Sequence, residues 1–139
     1  MHDLNILVSQ WLSGERPPPP IADLIGFHLL SASAGSSQVE LQANSSHHNP
    51  MGIVHGGIYC DLADAAMGIA LASLVQPGEV FSTIDLNIYF YTPVREATLR
   101  ASARVVRRGR NIAFLECNVT DQEGQLIARA TSTCQIVTA

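Results

Sequence analysis

Asp61 and Asp64 lie three residues apart inside the most apolar stretch of the chain, Ile58 to Val75, and His55-Gly56-Gly57 stands immediately before it. That stretch is too long for a strand and is ended by Gln76-Pro77-Gly78, so one long helix is expected over 58–75. Carboxylates three residues apart on a helix share a side, here with Gly68. Asp61 would fall in the first turn, where the positive helix end stabilises a carboxylate by roughly 0.3 to 1 kcal/mol. Asp64 lies deeper and has no such support. Apolar residues cover nearly the whole circumference, as for a helix sheathed by other structure. An ionised Asp64 is costly there unless a cation such as Arg95 or Arg100 pairs with it, or a cleft solvates it.

The residues before the helix favour the cleft. Two glycines at a helix start let a ligand approach the backbone closely, and the free amides of the first turn, with the helix dipole, suit a developing oxyanion. Gly57 and Asp64 are two turns apart, about 10 Å along one helix. An amide and a carboxylate so separated cannot both touch one reacting carbon. If both serve one reaction they come from different subunits, and a two-fold dimer with two composite sites is the economical arrangement.

The elements that must hold these groups follow from periodicity. Leu4, Leu7, Val8, Trp11 and Leu12 recur at helical spacing, predicting a short amphipathic helix over about 1–14, followed by a connector at Pro17 to Pro20. From Ile25 to Asn44 the pattern is extended, with two strands parted by Gly35-Ser36-Ser37, and a polar loop runs from Ser45 to Pro50. After the helix come four strands, roughly Phe81 to Tyr91, Thr98 to Arg107, Asn111 to Thr120 and Leu126 to Val137. In the first of them Ile84, Leu86, Ile88 and Phe90 alternate with Thr83, Asp85, Asn87 and Tyr89, the period of a sheet with one buried face. Short turns, Arg108-Gly109-Arg110 and Asp121-Gln122-Glu123-Gly124, join the later strands as hairpins. A predominantly antiparallel sheet of five to six strands wrapped around one central helix, an α+β domain, covers that helix most simply.

Composition narrows the partners. A chain of 139 residues is one domain's worth, and with 47% apolar and 14% charged residues much of its surface must be neutral or buried against another copy, so self-association is expected. The net charge of −4, with basic residues gathered only at Arg104, Arg107, Arg108 and Arg110, gives no footprint for nucleic acid. Cys60, Cys117 and Cys134 form no CxxC pair and read as buried thiols. Met1 to Gln10 carries no Lys or Arg and no sustained apolar run, so neither signal peptide nor membrane span is expected, and the first helix lacks the basic face of a membrane-surface helix. A cytoplasmic location follows. His2, His28, His47 and His48 have no metal-ligand spacing, so no metal is expected. The ring of His55 is expected to bond to backbone.

Asn49-Pro50-Met51-Gly52-Ile53-Val54-His55-Gly56-Gly57, followed by Leu62-Ala63-Asp64, resembles the signature of the phenylacetate-pathway-type (PaaI-like) hotdog thioesterases. The resemblance runs over about Ile25 to Val137 and includes Thr83-Ile84-Asp85-Leu86-Asn87 and the Gly109-Arg110 turn. It implies a hotdog fold, hydrolysis of an acyl-CoA thioester, no cofactor, and a homodimer or dimer of dimers. By the same resemblance Asp64 activates or replaces the attacking water and the Gly57 amide polarises the carbonyl. Asn49 and His55 fix the loop and orient water, and Thr83 brings a hydroxyl to assist it. Gly56 and the hairpin residues Arg108, Gly109, Arg110 and Asn111 are the expected substrate-binding set, with guanidinium suited to the phosphates of CoA. A hotdog fold does not fix the chemistry by itself: a dehydratase and a non-catalytic acyl-CoA binding protein remain alternatives, as do general-base and nucleophilic roles for Asp64.

Overall fold

The computed structural model describes residues 3–139. Two short helices, α1 (Leu4–Ser13) and α2 (Pro20–Ile25), precede strands β1 (Phe27–Ser33) and β2 (Ser36–Ala43). Then come the long helix α3 (Gly56–Ala72) and strands β3 (Glu79–Phe90), β4 (Ala97–Arg108), β5 (Ile112–Thr120) and β6 (Leu126–Thr138). The strands form one antiparallel sheet in the order β1-β2-β4-β5-β6-β3. Inward-facing Val39, Leu41, Leu99, Ala101, Leu115, Cys117, Val119 and Ala128 bury against Leu62, Ala63, Ala66, Met67 and Ala70 of α3. The small residues of the helix let it lie close in the curve of the sheet, the expected hotdog arrangement.

The outward face of the sheet is polar. Arg100 pairs with Glu40 at 2.8 Å, and Arg104 and Arg129 both reach Glu116, at 2.6 and 3.0 Å.

Four expectations need correction. Pro20 opens a helical turn that Gly26 closes in the left-handed conformation, φ 98°, so the extended run begins at Phe27 rather than Ile25. Proline suits a first helical turn, whose amide has no intrahelical partner to lose. The long helix starts two residues earlier than expected and stops at Ala72, which puts Asp61 in its second turn with no claim on the helix end. The polar loop contains a 3-10 turn, Ser45–His47, capped by Asn44.

The fourth correction is that α3 is not sheathed all round. Its sheet-facing side is buried, but Asp61 and Asp64 are exposed on the other side, with Gly57 and Gly68 half-buried beside them. At the corresponding edge of the sheet β3 has no outer neighbour, and Ile84, Tyr89, Phe90 and the following Tyr91 are all more than half exposed. Six strands cover one side of a helix and no more. A single protomer therefore leaves a neutral, partly aromatic margin next to two carboxylates.

Candidate active site

The start of α3 is held by its preceding loop. Asn49 Oδ1 accepts from the amides of Met51 at 3.0 Å and Ile53 at 3.4 Å, and the Asn49 amide donates to the Ile53 carbonyl at 2.8 Å. Gly52 makes the turn between them, at φ 74°. The loop is tied outward as well: Val54 donates to the Val94 carbonyl at 2.7 Å, and the Arg95 guanidinium donates to the Gly52 carbonyl at 3.1 Å. The rings of His47 and His48 are further ties, reaching the carbonyls of Ile25 and Arg95, each at 2.7 Å. His55, by contrast, is exposed, and its ring makes no such bond among the described residues, contrary to expectation. It stands at the N-cap without capping the helix. The first amides of α3, Gly57 among them, are left without a side-chain acceptor.

Both glycines have close neighbours. A Cβ on Gly57 would lie 3.0 Å from the Cδ2 and 3.1 Å from the Nε2 of His55, and one on Gly56 would lie 3.2 Å from the Phe90 ring. The His55 ring thus lies beside the amide end of the helix, where an imidazole and a backbone donor can face one ligand.

Asp64 is not paired with a cation among the described residues. Arg95 is turned to Gly52 and Arg100 to Glu40, so the ion pair, the alternative to a solvating cleft, does not form among the described residues. Asp64 Oδ1 instead accepts from the hydroxyl of Thr83 on β3 at 3.2 Å. A bulge makes this meeting possible. Thr83 pairs with Cys134 and Asp85 with Thr133, leaving Ile84 as an extra residue. The alternation resets there: Thr83 joins the helix-facing row with Leu86 and Ile88, while Ile84 is 58% exposed. Regular alternation, as read from the sequence, would have turned Thr83 to the other face.

The neighbouring acids differ. Partial burial and the charge of Asp64 raise the pKa of Asp61, against a smaller opposing effect of His55. Burial foremost, then the charges of Asp61 and Asp64, push the Cys60 thiol up, which disfavours the thiolate.

The hairpin residues stand apart from both groups. Arg108 is committed: it forms an ion pair with Glu79 at the start of β3 and donates to the Gly109 carbonyl at 3.0 Å. Arg110 and Asn111 are exposed, and with Glu79 and Thr138 they border a groove of about 310 Å³. A second cavity, about 280 Å³, opens beside the start of α3 and is walled by Asn49, Ile53, Gly56, Tyr59, Phe90 and Pro93. Sequence reasoning missed Tyr59 and Phe90. Their only signal is an aromatic ring among small aliphatic helix positions, and another at the end of a strand.

The chain thus gathers Asn49, His55, Gly56 and Gly57 at one end of a helix and Asp64 with Thr83 two turns along it. The thioesterase superfamily model matches residues 51–128, which include His55, Gly56 and Gly57 of the first group and both residues of the second, with Asn49 just outside the matched span. The chain belongs to the thioesterase superfamily. Among relatives within this superfamily, human acyl-coenzyme A thioesterase 13 is 29% identical over 107 residues, 76% of this chain and 76% of that protein. The 1,4-dihydroxy-2-naphthoyl-CoA hydrolase of Listeria monocytogenes is 25% identical over 107 residues, 77% of this chain and 87% of that one. A phenylacetic acid degradation-related protein from Ralstonia eutropha JMP134 is 33% identical, with a TM-score of 0.84 over 92% of this chain and 98% of that one. The hotdog fold and the PaaI-like resemblance are thereby established, and the activity that membership carries is thioester hydrolysis. No helix among the described residues is long and apolar enough to cross a membrane.

Proposed function

We propose that this thioesterase acts as a single hotdog domain on acyl-CoA, in a homodimer whose two sites each combine the helix start of one subunit with Asp64 of the other. The observation that carries this reading is the state of Asp64: open to solvent, free of any cation, and oriented by a hydroxyl from the next strand. A carboxylate open to solvent carries little desolvation cost and needs no cation, so the hydroxyl that orients Asp64 from the neighbouring strand is what sets it apart. Thr83 occupies Oδ1, and Oδ2 is left for water or for the thioester carbon.

In the general-base route Asp64 takes a proton from water as the oxygen attacks the carbonyl, and the Gly57 amide receives the charge that develops on the carbonyl oxygen. Collapse of the tetrahedral adduct expels CoA as thiolate. In the nucleophilic route Asp64 itself attacks the carbonyl carbon, the C–S bond breaks to release CoA as thiolate, and water then cleaves the resulting anhydride to the free acid and the Asp64 carboxyl. A single turnover in heavy-oxygen water separates them, since only the anhydride route can leave label in the Asp64 carboxylate. Asn49 fixes the loop, and His55 beside Gly57 orients water.

The dimer is supported by the separation of about 10 Å between Gly57 and Asp64 along one helix, and by the uncovered margin of α3 and β3. A dimer of dimers is compatible with the same margin. Gly56 admits the substrate beside Phe90, and Gly109, Arg110 and Asn111 receive the nucleotide end. Arg108 holds that hairpin through Glu79. The three cysteines are free thiols, which suits the cytoplasm.

Release of free thiol from a panel of aryl, medium-chain and long-chain acyl-CoAs, followed with a thiol-reactive dye, tests the assignment. Turnover of at least one member is expected; none across the panel would sink it.

A further inference from the structure

Tyr59 is 4% exposed, and its hydroxyl is the one buried side-chain polar atom among the described residues that lacks a hydrogen-bond partner. Leaving a buried hydroxyl unpaired is unfavourable, because the group has lost its water without gaining a partner. Packing does not call for it. The ring lies against Phe90, with centroids 5.9 Å apart, and a phenylalanine would make that contact without the polar atom. Burial pushes the phenol above its ordinary range, so it is a neutral O–H able to donate and accept.

The residue stands on the wall of the cavity beside the start of α3. Gly56 borders the same cavity, one residue from the Gly57 amide, so a thioester carbonyl at that amide has its acyl part within reach of this space. Tyr59 is five residues from the Asp64 of its own helix, about 140° round it, so the two do not share a side. The remaining walls are mostly apolar and rigid: Ile53, Phe90, Tyr91 and Pro93.

We propose that Tyr59 is a specificity-determining residue whose hydroxyl hydrogen-bonds an oxygen carried by the acyl part of the substrate. The inference rests on the acyl-CoA thioesterase reading above and adds a preference to it. An acyl group without such an oxygen leaves the phenol unpaired, and a site built to pair a substrate hydroxyl discriminates strongly against the analogue that lacks it.

Matched substrates test this. kcat/KM is measured for the full-length enzyme and for Tyr59→Phe on benzoyl-CoA and its three monohydroxy derivatives, and on octanoyl-CoA and 3-hydroxyoctanoyl-CoA. The wild type is expected to favour at least one oxygenated member over its parent by about tenfold or more. Tyr59→Phe should abolish that preference by lowering kcat/KM on the oxygenated member, and should keep or raise Tm, since it deletes an unpaired polar atom. Equal rates on parents and derivatives in the wild type overturn the proposal, as does a preference that survives in Tyr59→Phe. A lowered Tm or a weakened dimer in Tyr59→Phe would assign the hydroxyl to a structural partner and overturn it too. Hydrolysis of no substrate at all is a different result: the acyl-CoA reading itself falls, and the role of Tyr59 with it.

Discussion

Asp64 and Asp61 occupy the same side of α3, yet their surroundings ask different things of them. Asp64 is held by the Thr83 hydroxyl. Asp64→Asn keeps the shape and removes the group that accepts a proton or attacks, so turnover should fall roughly 100-fold or more with the fold intact by circular dichroism. A folded variant with wild-type turnover would show that the carboxylate was misassigned. Asp61 has a pKa raised by partial burial and by Asp64. A raised value in the folded state means stability present at low pH and lost as pH rises through it. Asp61→Asn should therefore barely change turnover and should raise Tm at neutral pH, with the gain vanishing below the ordinary carboxylate range. A Tm difference that does not depend on pH would contradict this account.

The strands were legible because each alternates over most of its length, and the long helix because its apolar run ends at a Pro-Gly breaker. What escaped was local. Nothing in Thr83-Ile84-Asp85 announces a bulge, since an extra residue changes no composition, only the row to which its neighbours belong. Gly56-Gly57 reads as loop because glycine disfavours helix interiors, yet the helix starts there, and that shift took Asp61 out of the first turn. Tyr59 reads as core, and only the missing partner of its hydroxyl separates it from Leu62 or Met67. Arg108 and Arg110 looked alike, but the first is locked to Glu79. That ion pair joins the start of β3 to the end of β4, strands separated in the sheet by β5 and β6, and it holds the Glu79 carboxyl below its usual range, Arg108 being the largest cause. A depressed value gives stability above the unfolded pKa that is lost as pH falls through the folded one. Glu79→Gln should accordingly be less stable than wild type at pH 7, with the two Tm curves converging as pH is lowered past the carboxylate range. Arg110→Ala should instead leave Tm alone and raise KM for acyl-CoA more than for a short thioester lacking the nucleotide. Equal changes on the two substrates would return Arg110 to the solvated surface.

At the scale of the molecule the exposed side of α3 was the main departure from expectation, because a pattern of apolar residues reports burial without saying which chain provides it. The composite site can be checked by mixing. Asp64→Asn and Gly57→Pro should each be inactive, the second because it removes the amide and crowds the His55 ring. In their heterodimer one site carries both defects and the other neither, so about half the wild-type activity per dimer should return. Verified heterodimers that stay inactive, with both parents folded, would place each site within one subunit. The uncovered edge of β3, with Ile84, Tyr89 and Phe90 open to water, has a consequence for how such an enzyme is handled. If that margin is closed only by a second copy, dilution exposes it again. Both Tm and turnover per chain then become functions of protein concentration, falling together below the dissociation constant of the pair.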